Sequence, residues 1–182
     1  MMKDHDALMS ALDLLWTNFR NCRAYFPFMS EKAIGQTGLQ TAPLYQSLGF
    51  DIRFEFSRPI TAGVRDKNNE IADWLNENFI IRLLATLESF HVVSKVISIV
   101  FTLDGANEVN IVRRLRHCFA HSSGRYDPAN EYHVTTVKMM RDYLHIATEG
   151  TTTWDTSIDT VLKPLFECCK RYAIAKLRIP TE

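Results

Sequence analysis

Residues 66–105 read DKNNEIADWLNENFIIRLLATLESFHVVSKVISIVFTLDG. Within this stretch Ile71, Trp74, Leu75, Phe79, Leu83, Leu87, Phe90, Val93, Val96, Ile97 and Val100 keep to a helical spacing. Neither Pro nor Gly interrupts them before Gly105. Apolar residues at that spacing line one face of a 3.6-residue turn, so the pattern predicts one long helix or two nearly collinear ones. Arg82, Glu88, His91 and Lys95 recur through the most apolar part, which makes it a poor bilayer span and a good amphipathic helix. No membrane segment is expected.

The same periodicity extends to both sides. Upstream, Leu8, Leu12, Leu15 and Phe19, with Ala11 and Trp16 beside them and Asp4 as a cap, predict a helix over 5–24. Between them, residues 26–64 are punctuated by Pro27, Gly35, Gly38, Pro43, Gly49, Pro59 and Gly63. One short helical candidate lies at 43–48, and Phe50, Ile52, Phe54 and Phe56 alternate as an extended segment does. Downstream of Gly105, Asn107 can cap a helix through Ile111, Val112, Leu115, Cys118 and Phe119, closed by Gly124 and Pro128. Thr135 or Thr136 is the expected cap of a short helix through Val137, Met140 and Leu144. Asp155 or Ser157 opens the last helix, in which Pro164 predicts a kink or a later start. The expected fold class is all-α, an antiparallel helical bundle with an irregular, partly extended insertion near residues 26–64. No repeat or linker divides the chain, so a single domain over residues 1–182 is expected.

Composition fits that reading. The 182 residues are 46% hydrophobic and 23% charged, enough to bury a core and unlike a disordered chain. Lys and Arg number 21, as do Asp and Glu, so no whole-molecule charge draws the chain to nucleic acid or an anionic membrane, and any anion site must be local. Cys22, Cys118, Cys168 and Cys169 lack the spacing of a secreted disulfide framework, so reduced thiols are expected. Asp4 and Asp6 stand where a signal peptide would be basic, which reads as a mature cytoplasmic protein.

The candidate for a local anion site is residues 109–126, VNIVRRLRHCFAHSSGRY, with Arg113, Arg114, Arg116, Arg125, His117 and His121 and no carboxylate. On a helical wheel Val112, Leu115 and Phe119 define the buried side, while Arg113, His117 and His121 step along the other at four-residue intervals. Imidazoles beside guanidiniums suit a phosphate, and Arg113, Arg114 and Arg125 are candidate RNA or phosphate ligands. The competing reading is a solvated polar face whose arginines pair with carboxylates elsewhere.

Arg116-His117-Cys118-Phe119-Ala120-His121 resembles the R-x(4–6)-H signature of the HEPN superfamily, helical-bundle proteins many of which cleave RNA. A polar residue directly after the arginine, here His117, and a Gly-containing turn after the histidine are similar to the family's usual run. The resemblance implies Arg116, His121 and His117 as catalytic residues of a metal-independent endoribonuclease, possible roles as a toxin or defence enzyme, and an antitoxin or other protein partner. It also implies a homodimer that joins two copies of the motif across a two-fold axis. Toxin-type members paired with a nucleotidyltransferase antitoxin carry Tyr two residues after the histidine, where this chain has Ser123. A non-catalytic helical module that binds protein or RNA is the alternative function.

The chemistry is consistent. A base removes the 2′-OH proton, the oxygen attacks phosphorus, and cations stabilise the charged pentavalent state without a metal or other cofactor. Histidine titrates near neutral pH, and the Arg116 guanidinium offers the fork that phosphate oxygens accept. Five residues advance a regular helix by about 500°, a net turn of about 140°, so Arg116 and His121 diverge unless the helix ends first or a second chain contributes. Two rival chemistries use the same stretch. His117 and His121 could ligate zinc with Cys118, Cys168, Cys169, His133 or His145, although there is no HExxH or CxxC; Cys118 could be a nucleophile, although it falls on the apolar side. Glu88 and His91, one turn apart, read as a solvated polar pair, and Trp16, Trp74 and Trp154 as core or interface aromatics.

Overall fold

The computed structural model describes residues 2–40, 52–94, 97–121, 125–146 and 154–179. The helical candidate at 43–48, Phe50, the Gly124 stop and the Thr-rich turn after Gly150 lie outside them. The protein is mostly helical with one small two-stranded sheet, an all-α bundle. Its helices are α1 (Met2–Tyr25), α2 (Ala62–Ser89), α3 (Ala106–His121), α4 (Glu131–Leu144) and α5 (Lys163–Leu177). The chain divides into two compact units, Leu14–Leu75 and the combination of Met1–Asp13 with Asn76–Glu182.

The smaller unit contains the irregular segment. A single 3-10 turn, Glu31–Ala33, leads into β1 (Gly38–Gln40), which pairs antiparallel with β2 (Arg53–Glu55), Leu39 opposite Phe54. Met29, Ala33 and Ile60 form a small core with Leu39 and Phe56 against it. Asn69 of α2 closes this segment with two hydrogen bonds, its Oδ1 accepting from the Met29 N–H at 2.8 Å and its Nδ2 donating to the Met29 carbonyl at 2.9 Å. Asn68 donates to the Pro27 carbonyl at 2.6 Å. These side-chain bonds satisfy backbone groups that lie outside the short β1–β2 ladder.

The larger unit holds the site. Its α3 packs against α4 and α5, and a π-type turn, Ile158–Leu162, leads into α5. The helical run opens after Ser157 as expected, and Pro164 falls in the first turn of α5 directly behind that π-type turn. Leu8, Leu12, Leu83, Leu87, Val109, Val112, Leu115, Leu165 and Tyr172 are buried, and the Tyr172 hydroxyl accepts from the Val100 N–H at 2.9 Å. Asp104 pairs with Arg171 at 2.7 Å, and Lys170 with Asp13 at 2.6 Å. Gly105 adopts φ +83° against α5, where a Cβ would run into the Cys168 carbonyl oxygen.

Several helix ends are corrected: α1 and α3 begin at Met2 and Ala106, ahead of their expected caps Asp4 and Asn107. The helix from residue 66 begins four residues earlier, where the Thr61 hydroxyl accepts from the Val64 N–H at 3.3 Å. It ends at Ser89 instead of continuing to Val100. His91 takes a left-handed φ of 56°, its N–H donates to the Glu88 carbonyl, and the Val92 N–H reaches back to Leu87 at 3.0 Å. That is a Schellman closure, completed by the burial of Leu87 and Val92, and it stops a helix without Gly or Pro. Finally, α4 starts at Glu131 with Asn130 as cap, its Oδ1 accepting from the Tyr132 N–H at 2.9 Å, upstream of the expected Thr135 or Thr136.

Candidate functional site

Every residue of 109–121 lies on α3, and the helix is continuous through His121. The wheel is reproduced: Val109, Val112, Leu115, Cys118 and Phe119 are buried, while Arg113, His117 and His121 are exposed. Because α3 does not end before His121, the about 140° divergence of Arg116 from His121 holds within one chain. The half-buried Arg116 and the exposed Arg125 make no hydrogen bond or ion pair among the described residues. Arg113 donates to the Asn110 side chain at 3.1 Å, one turn back on its own helix. None of the ion pairs among the described residues uses an arginine or histidine of this segment.

Arg114 behaves differently. Its Nε donates to the Thr136 hydroxyl at 2.9 Å and its Nη2 to the Tyr132 carbonyl at 2.8 Å. Its guanidinium carbon stands 3.8 Å from the Tyr132 ring centre. A planar fork satisfies an acceptor pair and a ring face together, so Arg114 ties α3 to the first turn of α4. Tyr132 is then held beside the site: its ring lies 5.2 Å from that of His117, edge to face. His117 and His121 complete the row, with ring centres 4.7 Å apart.

From Arg125 onward the chain is fastened by aromatic contacts. Tyr126 packs on His133 and Trp154, and Phe119 on Trp154. The buried His133 accepts the Asp127 N–H at its Nδ1, 3.0 Å away, and so fixes the loop before α4. The sequence had offered His133 only as a zinc ligand. Tyr132, Thr136 and the structural use of His133 were missed; the available signal was Asn130, whose capping geometry starts α4 early enough to bring Tyr132 and Thr136 toward α3.

The rival chemistries fare as follows. Among the described residues no group of three or more His, Cys, Asp or Glu is placed to hold a metal ion. Burial pushes the Cys118 thiol up to about 11, with Arg114 pulling weakly the other way, so it is a protonated core group near neutral pH. Burial likewise raises Cys169 and Cys168, which pack in α5, and all four cysteines are free. His91 is exposed in the turn after α2, Trp154 is buried and Trp74 is exposed. No helix among the described residues is long and apolar enough to cross a membrane. The chain matches no family model, no curated protein and no solved structure.

Proposed function

We propose that α3 carries the phosphate-handling face of a metal-independent endoribonuclease of the HEPN type, working as a two-fold homodimer. The observation that carries the reading is the open state of the cations: Arg116, His117 and His121 have no carboxylate partner among the described residues. Paired to carboxylates, they would be part of a solvated salt-bridge network; unpaired among the described residues, in a stretch without carboxylates of its own, they are suited to an external anion.

In this reading one imidazole of the His117–His121 pair takes the 2′-OH proton and the other protonates the departing 5′ oxygen. Arg116 stabilises the charge that builds on the phosphoryl oxygens, and because it points away from His121 of its own chain, the second copy supplies the complementary group. Arg113 and Arg125 hold flanking phosphates. Arg114 acts by fixing Tyr132.

The test is incubation of matched RNA and DNA oligonucleotides with the full chain, in EDTA and in magnesium, with end-group analysis. RNA is expected to be cut in EDTA to 2′,3′-cyclic phosphate ends and DNA spared, because DNA lacks the internal nucleophile. Arg116→Ala and His121→Ala are expected to abolish cleavage with the fold intact. A magnesium requirement, or equal cutting of DNA, overturns the mechanism; a monomer by light scattering at micromolar concentration overturns the shared site. RNA binding without cleavage would favour the non-catalytic module.

A further inference from the structure

The two imidazoles of α3 are spaced for a second kind of ligand. For a metal held by one nitrogen of each ring, bonds of about 2.0–2.1 Å and an angle between about 90° and 109° put the ring centres about 4.5–5.2 Å apart. His117 and His121 have their ring centres 4.7 Å apart. Both side chains are exposed, both are carried by an unbroken helix, and Tyr132 backs His117 at 5.2 Å while Arg114 covers the Tyr132 ring. The pair therefore sits near a chelating separation before any ion arrives, which reduces the ordering cost of binding.

We infer that His117 and His121 form a two-point site for a borderline first-row divalent cation, Cu2+ above Zn2+, and that an ion bound there silences the proposed ribonuclease. Selectivity follows from the donors. Two nitrogens with no carboxylate suit copper, nickel and zinc, whereas magnesium and calcium require oxygen. Arg113 and Arg116 add positive charge that disfavours any cation held by electrostatics alone. Cys118 is on the buried side and adds no ligand, and the remaining positions on the ion are filled by water. The ion is an inhibitor and not a cofactor: it occupies the nitrogen lone pairs that must accept and return protons. This consequence rests on the ribonuclease reading, whereas the site itself does not.

The test is titration of the full-length Cys22→Ser protein, which lacks the exposed thiol, with ZnCl2 by calorimetry and with CuCl2 by electron paramagnetic resonance. His117→Ala and His121→Ala are each expected to weaken binding on the order of a hundredfold, because each removes one arm of the chelate. His91→Ala is expected to leave binding unchanged, and MgCl2 to produce no signal. Equal affinity in His91→Ala and His121→Ala, or no Cu2+ binding at up to millimolar concentration, overturns the site. Cleavage of RNA should stop in CuCl2 and return when EDTA is added. Cleavage that continues with the ion bound overturns the inhibition; a protein that binds Cu2+ through both histidines but cleaves no RNA keeps the metal site and loses the ribonuclease reading together with its inhibition.

Discussion

The side of α3 that faces α4 and the side that faces solvent are built from the same residue types, yet they serve different ends. Arg113 and Arg114 are adjacent in sequence and about 100° apart around the helix. Arg114 meets the Tyr132 carbonyl, the Thr136 hydroxyl and the Tyr132 ring. Arg113 makes its one hydrogen bond among the described residues to an asparagine of its own helix. What separates a brace from a free cation is therefore the presence of acceptors on a neighbouring helix and not the residue itself. A cluster of arginines in a sequence overstates the number available to a ligand.

The contrast can be tested from its strongest consequence downward. Phe119→Ala or Leu115→Ala is expected to cost about 2–5 kcal/mol, while His121→Ala and Arg113→Ala stay within about 0.5 kcal/mol in chemical denaturation. Comparable losses from His121→Ala and Phe119→Ala would erase the distinction between the two sides.

The buried side also predicts an alkaline weakness. Burial holds the Cys118 thiol at about 11, above its ordinary 9.0, so the folded chain keeps a proton that the unfolded chain releases. The associated stability is complete below the unfolded value and is lost as pH rises through the folded one, by at most about 2.7 kcal/mol. Denaturation followed from about pH 8 to about pH 11 should show a shallower loss in Cys118→Ala than in the wild type; parallel curves would remove Cys118 from the account.

A smaller effect separates the adjacent arginines. Arg114→Ala should cost about 2 kcal/mol, and Arg114→Lys should recover little of it because an ammonium cannot serve two acceptors and a ring in one plane. Equal small effects at 113 and 114 would make both arginines surface groups. Smallest is the cap that sets the register of α4: Asn130→Ala should cost about 1 kcal/mol and Asn130→Asp should retain most of it, read from thermal melts.

Much of α3 was legible because its buried residues repeat without competition: Val112, Leu115 and Phe119 are buried and Arg113, His117 and His121 are not. Helix α1 was legible for the same reason. The stretch after Ser89 was not, since Val93, Ile97 and Val100 continue the spacing in a chain that has already turned. The turn is made by His91 in the left-handed region, and His145 does the same after α4. Histidine tolerates that conformation better than most side chains, but it announces a stop far less clearly than glycine does. The brace between Arg114 and α4 was illegible because it depends on a contact between residues 18 and 22 positions apart.

Gly105 connects these observations to the whole helix. Its bare Cα sits where a side chain would meet the Cys168 backbone, so the start of α3 is seated directly on α5. An α-helix transmits a displacement at one end to the other as a rod does, and sixteen residues span about 24 Å. An added methyl group at position 105 would have to lift that end, tilting the row of Arg113, His117 and His121 as one body. A position able to misalign the exposed row thus bears no functional group and lies at the opposite end of the helix from His121.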